Sequence, residues 1–311
     1  MLYKLTISPY SSFNYPIQSD TLFGAFCWSY KYLYGNEKLE KFLDLCIIKK
    51  PPIIFSNMFF KDMLPIPLAV LQKIKNINYN NLEEYKKIKK LNKNSFLPKE
   101  IFLQVLENNY DNVLSNIINP KLYKETQIHN MVDRNSNTVN NNDGNGNLYS
   151  INICYSKLDF DIYILSENNI EEYMPVLDLM FELGIGKKKS TGKGGFKIIQ
   201  QPTLEQELIK NFEKANGFVV LSNFIPNKLD SINGYYNIIT KFPKLDREFA
   251  TSEKPFKKPL TMIQAGSCFY YKIKRDYCGL CLDNISNLYR NIMINACGIA
   301  IPICLDENNN Q

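Results

Sequence analysis

The chain has 311 residues, of which 45% are hydrophobic and 13% aromatic, so it forms one large core or two smaller ones and is not a disordered tail. Its formal net charge of +6 permits nucleic-acid binding without requiring it, and no apolar run approaches the roughly 20 residues of a membrane span. Eight scattered cysteines and the absence of a signal-peptide pattern favour reduced thiols in a cytoplasmic protein.

The chain opens with an alternating strand pattern at Leu2–Ile7, followed by a polar loop and a helix that carries the only tryptophan, Trp28. Ser19 or Asp20 is the predicted N-cap of this helix. A helix N-terminus attracts anions, which makes Ser19 a candidate phosphate contact, whereas Asp20 would repel phosphate and is assigned only to capping. A second amphipathic helix is predicted over Lys38–Ile48.

The next hundred residues alternate short elements with polar, lysine-rich stretches. A strand pattern at Ile53–Ser56 follows a Pro-Pro break, and a surface helix is predicted over Tyr85–Leu91. Two further short helices are predicted over Lys99–Leu106 and Asp111–Ile118. The basic face of the Tyr85–Leu91 helix is interpreted mostly as a solvated surface.

A long β-hairpin is predicted at about 125–155, because two strand patterns flank an asparagine-rich segment that contains Asp-Gly and Asn-Gly. Its tip spans Asn135–Asn147. A protruding hairpin that carries His129 and Arg134 can reach a partner, although His129 is equally well explained as an ordinary surface residue.

A strand at Leu158–Leu165, a helix at Ile170–Leu183 and a closing strand at Phe196–Ile199 complete the first part of the chain. Together with the first strand and helix they give the order of a ferredoxin-like (RRM-like) domain with a large insertion. We therefore predict an α+β protein of two domains. Residues 1–200 form the first domain, and residues 201–311, which are mainly β, form a second, degraded ferredoxin-like domain after a boundary at Gln201-Pro202.

A glycine- and lysine-rich loop lies between that helix and the closing strand. Gly184–Gly195 contains five glycines and four lysines in twelve residues. Bare backbone amides and dense positive charge suit a phosphate chain, and the loop matches neither the Walker A nor the dinucleotide pattern. The alternative is a solvated basic turn in which a glycine ends the helix. We favour a site for an RNA or DNA backbone.

No metal or cofactor is predicted. Cys278-Gly279-Leu280-Cys281 is a lone CxxC pair, and zinc would need a second pair or histidines, whereas the chain has a single histidine, His129.

Three stretches together resemble the RAMP superfamily: Ser19–Ala25 after the first strand, the Asp133-Arg134 hairpin that ends in Leu148-Tyr149, and the glycine loop before Phe196. More specifically they resemble the fourth Csm subunit of type III-A CRISPR effector complexes. The late Lys258-Pro259, Gly266-Ser267 and Gly298 segments are placed as in that subunit. The sequence departs from it in its asparagine-rich tip and in having lysines where arginines are common, which gives up bidentate phosphate geometry.

The resemblance implies a non-catalytic subunit that caps the 5′ tag of the guide RNA. It also implies contacts to a large Cas10-type subunit and to a Csm backbone subunit, with the hairpin as a thumb that wedges into the guide–target RNA duplex. The wedge candidates on this thumb are Ile128 and Met131. The candidate RNA contacts are Lys187, Lys188, Lys189, Ser190, Thr191, Gly192, Lys193, Gly194, Ser19, His129, Asn130 and Arg134.

Two other functions stay open at this point. A guide-processing endoribonuclease of the same superfamily would need a histidine with a positioned tyrosine or lysine, and only His129 is available. A single-strand RNA-binding protein that acts alone is less favoured by the modest net charge.

Overall fold

The computed structural model describes residues 1–48, 50–76, 95–130, 132–133, 138–139, 148–289 and 292–306. The predicted helix at 85–91, together with Met131 and Arg134, lies outside these ranges.

The N-terminal part is built on an antiparallel sheet covered by helices. Its elements in chain order are β1 (Leu2–Pro9), α1 (Ser19–Tyr34), α2 (Asn36–Ile48), β2 (Ile53–Phe55), β3 (Phe59–Phe60), β4 (Met63–Pro65), α3 (Leu68–Asn76), β5 (Phe96–Pro98), α4 (Lys99–Leu106), β6 (Tyr123–Asn130), β7 (Val132–Asp133), β8 (Thr138–Val139), β9 (Leu148–Tyr155), β10 (Phe160–Ser166), α5 (Met174–Glu182) and β11 (Phe196–Leu204). A 3-10 helix at Leu114–Asn116 occupies the predicted helix at 111–118, and another at Ile170–Tyr173 precedes α5.

The first sheet has the strand order β11-β1-β10-β2, and β3 also pairs with β10. All of these pairs are antiparallel. Strand β10 lies between its neighbours and is buried along its whole length, which agrees with its nearly continuous apolar sequence. Phe26 of α1 and Leu177 of α5 are buried in the core that covers this sheet.

The C-terminal part is almost entirely β-structure. Its strands are β12 (Gly217–Val220), β13 (Gly234–Tyr235), β14 (Ile238–Lys241), β15 (Leu260–Ile263), β16 (Cys268–Tyr270), β17 (Tyr277–Leu282) and β18 (Ile294–Ile303). Five of them form a sheet of order β13-β16-β12-β18-β17, and β14 pairs separately with β15. Within residues 201–289 and 292–306 the connections contain 3-10 turns and no α-helix. This part therefore differs from the two-helix plan of a complete ferredoxin-like domain.

The two parts share one hydrophobic core. The same buried cluster contains Leu5 and Phe55 from the N-terminal part and Leu221 and Ile301 from the C-terminal part. The predicted boundary at Gln201-Pro202 falls inside β11, which continues to Leu204. Polar contacts also join the two parts, since the Ser222 hydroxyl donates to the Phe55 carbonyl oxygen at 2.8 Å.

None of the described helices combines the length and the apolar composition needed to cross a bilayer. All eight cysteines lie in described segments, and none of them forms a disulfide.

Candidate nucleic-acid interface

The glycine loop is held in place by its own backbone and by the connection between β1 and α1. The Ile185 amide donates to the Gly194 carbonyl oxygen at 2.7 Å, and the Gly194 amide donates to the Ser12 carbonyl oxygen at 2.7 Å. Gly194 has a φ of +77°, and a Cβ atom there would lie 2.0 Å from the Ile185 carbonyl oxygen. Only glycine fits this crossing of the two ends of the loop.

The lysines of the loop divide into two pairs. Lys187 and Lys188 are exposed, as are the neighbouring Ser190 and Thr191. Lys189 instead forms an ion pair with Asp246 of the C-terminal part. Lys193 is 9% exposed, and its Nζ donates to Gln127 Oε1 of the hairpin at 2.6 Å.

The two inward lysines therefore hold the loop rather than present charge to solvent. Burial lowers the pKa of Lys189 below its ordinary value, and the ion pair with Asp246 opposes that shift. The sequence predicted all four lysines of the loop as one phosphate-binding set. In the structure, only Lys187 and Lys188 are exposed.

The predicted hairpin is present as an antiparallel pair of β6 and β9, in register from Tyr123 opposite Tyr155 to Asn130 opposite Leu148. Because side chains alternate along a strand, His129 and Gln127 lie on one face and Ile128 and Asn130 on the other. The first face contacts the glycine loop through Gln127. Ile128, on the opposite face, is 73% exposed.

Tyr149 joins the hairpin to the loop. Its ring stacks on His129 with a centroid separation of 5.6 Å and an interplanar angle of 21°. The Nζ atom of Lys188 lies 4.8 Å from the centroid of the same ring, within the range of a cation–π contact. The residues predicted in the loop and in the hairpin thus meet at a tyrosine that sequence reasoning did not select.

His129 has little freedom for proton transfer. The single histidine of the chain packs against Tyr149, and its Nε2 atom is enclosed without a hydrogen-bond partner among the described residues. General acid or base catalysis requires a side chain within hydrogen-bond reach of the reacting group.

Ser19 lies elsewhere, inside the molecule. It is 4% exposed; its amide donates to Asn57 Oδ1 at 3.0 Å, and its hydroxyl donates to the Asn223 carbonyl oxygen at 3.5 Å. The prediction that Ser19 or Asp20 caps α1 is wrong, because Gln18 occupies the N-cap position and Asn57 caps the helix from another element. Asp20 instead pairs with Lys241 at 2.5 Å. The C-terminal part therefore covers this helix end.

The CxxC pair lies in β17. Cys278 is buried, whereas Cys281 lies close to Cys297 and Cys46, whose hydrogen bonds lower its pKa below the ordinary value of a thiol. Within the described segments, no group of three or more histidine, cysteine or acidic side chains is arranged to hold a metal ion.

Comparison with known proteins gives one family and a set of similar structures. The model of the RAMP superfamily matches residues 7–197, which is more than half of the chain. No curated protein sequence matches.

Similar folds occur in solved CRISPR complexes. A chain in the crystal structure of the Csm1-Csm4 cassette in complex with pppApA is 16% identical, with a TM-score of 0.60, and the match covers 99% of this chain and 100% of that one. A chain in the Csm3-Csm4 subcomplex of the type III-A CRISPR-Cas interference complex is 18% identical, with a TM-score of 0.54 and coverage of 94% and 98%. At these identities the likeness is one of fold, and it extends over both parts of the chain.

Proposed function

The chain belongs to the RAMP superfamily, and from that premise we propose that it is the Csm4-type subunit of a type III-A CRISPR effector complex, where it holds the 5′ tag of the guide RNA without a catalytic role. The observation that carries this proposal is the glycine loop, which presents Lys187 and Lys188 at the surface and contacts the hairpin through Lys188 and Lys193. The fold shared with chains of the Csm1-Csm4 and Csm3-Csm4 structures supports it.

We assign a ferredoxin-like plan to residues 1–200. The order β11-β1-β10-β2, with α1 and α5 as the two connecting helices, supports this assignment. The C-terminal part is then a degraded copy that keeps its strands, with loops and 3-10 turns in place of α-helices in its described segments. The hairpin is an insertion into the first plan, between β2 and β10.

The RNA backbone is held by the exposed side of the glycine loop. Lys187 and Lys188 neutralise phosphates, and the hydroxyl of Ser190 donates a hydrogen bond to a phosphate oxygen. The Thr191 hydroxyl donates to the Lys188 carbonyl oxygen at 2.8 Å and so holds the turn that presents Lys188. Gly192, which is exposed and has a φ of +76°, lets the backbone approach without a side chain. Lys189, Lys193 and Gly194 position this surface, and Ser19, being buried, is not part of it.

The hairpin acts as the thumb. Ile128 is the wedge candidate in its described part, because it is an exposed apolar side chain on the face turned away from the loop. Asn130 lies on the same face and contacts the guide or the target RNA. Met131, as a second wedge residue, and Arg134, as an RNA contact, remain predictions from the sequence, since both lie outside the described residues.

The proposed partners are a large Cas10-type subunit and a Csm backbone subunit, since similar chains occur with Csm1 and with Csm3. The complex is expected in the cytoplasm. The endoribonuclease alternative is less well supported, because His129 is packed against Tyr149 and its Nε2 is enclosed. A stand-alone RNA-binding protein would not need these partners.

The loop assignment is tested by replacing Lys187 and Lys188 together with alanine in the full chain. Each lysine that contacts a phosphate of single-stranded RNA contributes about 0.7 to the slope of log K against log salt. The slope should therefore become shallower by about 1.4 for an RNA that carries a repeat-derived 5′ tag. Fluorescence anisotropy from 50 to 200 mM salt measures it.

The matched control is K210A/K214A, which removes two exposed lysines from the connection between β11 and β12. An equal loss of slope in the control would mean that the loop is not the specific contact. Purification of the chain from its native host, with sequencing of the bound RNA, tests the assignment to a complex. RNAs without a common 5′ end, and no partner subunits, would favour the stand-alone binder.

A further inference from the structure

A two-stranded ribbon in the C-terminal part extends beyond the pairing of β14 and β15. Those strands pair from Ile238 opposite Ile263 to Lys241 opposite Leu260. Pairing then resumes with Lys244 opposite Phe256, where the amide of residue 245 donates to the carbonyl oxygen of residue 255 at 2.7 Å and the amide of residue 257 to that of residue 243 at 2.8 Å. We call residues 238–246 and 254–263 the ribbon.

The inner face of the ribbon is fixed to the body of the protein. Leu245 is buried, and Lys241 pairs with Asp20 at the start of α1. Lys257 is inward as well, and burial lowers its pKa while Asp20 opposes that shift. These contacts hold the ribbon in a fixed position on the body of the protein.

The outer face exposes two phenylalanines and a lysine. Phe242 is 68% exposed and Phe256 is 57% exposed. Lys244 lies opposite Phe256, with its Nζ 5.8 Å from the ring centroid. Lys258, two residues after Phe256, is also exposed. Large aromatic rings left in solvent on a fixed strand are a feature of binding surfaces.

The ribbon lies against the glycine loop. Asp246, at the end of its first strand, forms the ion pair with Lys189 of that loop. An RNA strand whose phosphates are held by Lys187 and Lys188 therefore passes close to this end of the ribbon. This contact places the glycine loop and the ribbon side by side. The sequence did not indicate this, because some sixty residues separate the two segments.

We propose that the outer face of the ribbon is a stacking surface for unpaired nucleobases of the RNA held by the glycine loop. Aromatic rings interleaved with lysines are the combination that proteins use for single strands, because every base has a face that stacks and every nucleotide carries a phosphate. The positive charges of the lysines at 244 and 258 complement the negative charge of an RNA backbone. This proposal rests on the proposed function and adds Phe242, Lys244 and Phe256 to its binding surface.

The test compares F242L/F256L with F242Y/F256Y in the full chain. Leucine keeps an apolar side chain but removes the ring, whereas tyrosine keeps the ring. Stacking predicts about tenfold weaker binding of single-stranded RNA for each ring lost in the leucine variant, and near wild-type binding in the tyrosine variant. The salt slope should not change in either, because no phosphate contact is removed.

A second measurement identifies the contact directly. RNA that carries 4-thiouridine at successive positions is crosslinked to the wild-type chain by ultraviolet light, and the crosslinked peptides are identified by mass spectrometry. Crosslinks at Phe242 or Phe256 are expected from the positions adjacent to those that crosslink to the glycine loop. Crosslinks to the loop alone would overturn the stacking surface.

The outcomes separate this proposal from the proposed function. If K187A/K188A weakens binding while F242L/F256L binds as tightly as wild type, the loop is the RNA contact and the ribbon is not. If the wild-type chain binds no RNA, both proposals fail. If F242L/F256L binds RNA normally but loses subunits that co-purify with the wild type, the ribbon is a protein interface and the stacking proposal is wrong.

Discussion

Replacing Gly194 with alanine tests whether the crossing of the two ends of the glycine loop determines its shape. An added Cβ would lie 2.0 Å from the Ile185 carbonyl oxygen, whereas ordinary van der Waals contact begins at 3.4 Å. The Cβ atom would therefore need 1.4 Å more space, which requires the segments around Ile185 and Gly194 to move apart. That separation breaks the 2.7 Å hydrogen bond from the Ile185 amide to the Gly194 carbonyl oxygen.

The expected loss of stability has two contributions. Placing alanine at a φ of +77° costs about 1 kcal/mol. Breaking the Ile185–Gly194 hydrogen bond, whose donor residue is completely buried, costs about 2 kcal/mol because its polar groups lose their partners. We therefore expect G194A to lower the free energy of unfolding by about 3 kcal/mol.

Gly192 is a matched control in the same loop. Its φ is +76°, but nothing lies within 4 Å of an added Cβ. Only the conformational cost of about 1 kcal/mol applies to G192A. Urea unfolding followed by circular dichroism measures both variants. If the two variants lose the same stability, the close approach at Gly194 does not determine the fold of the loop and the reasoning is refuted.

Two further predictions concern charged groups. D20N should lower the free energy of unfolding by about 3 kcal/mol, because the Asp20 side chain is only 6% exposed and its charge balances both Lys241 and the inward Lys257. D276N should cost less than about 1 kcal/mol, because the Asp276 side chain, which pairs with Lys50, is 45% exposed and water screens its charge. Equal losses in urea unfolding would contradict the burial argument. Burial raises the pKa of Asp161 above its ordinary value, so the folded state binds this proton more tightly than the unfolded state does. The difference in free energy of unfolding between wild type and D161N should therefore shrink as the pH rises from about 4 through the raised pKa. A difference that does not vary with pH would show that folding does not change the pKa of Asp161.

Local patterns were sufficient to predict much of the fold. The alternation in β1, the apolar spacing of α5 and the paired strand patterns of β6 and β9 all predicted the elements that the structure contains. The glycine loop was located correctly for the same reason, since its composition is a local property. The family was also recognised from such local stretches and is confirmed by the match over residues 7–197.

The features that local patterns did not indicate depend on contacts between distant residues. Pro202 lies within β11, which is the edge strand of its sheet and pairs irregularly with β1 near this position, where a missing amide is tolerated. Asn57 caps α1 from 38 residues away. Tyr149 was missed because its position opposite His129 follows only from the hairpin register. The division of the loop lysines likewise depends on Asp246 and Gln127.

The shared core has a consequence for how this protein can be divided. The match to the RAMP superfamily ends at residue 197, which suggests a cut before the C-terminal part. A fragment ending there would lose Leu204, the strand partner of Tyr3, and would remove Leu221 and Ile301 from the buried cluster that also contains Phe55 and Leu5. The Phe55 carbonyl and the Asn57 amide, which bond across to Ser222 and Leu221, would have to find water instead. The stretch that the family model matches is thus shorter than the part of the chain that shares one core, and expression of residues 1–197 alone should yield aggregated material.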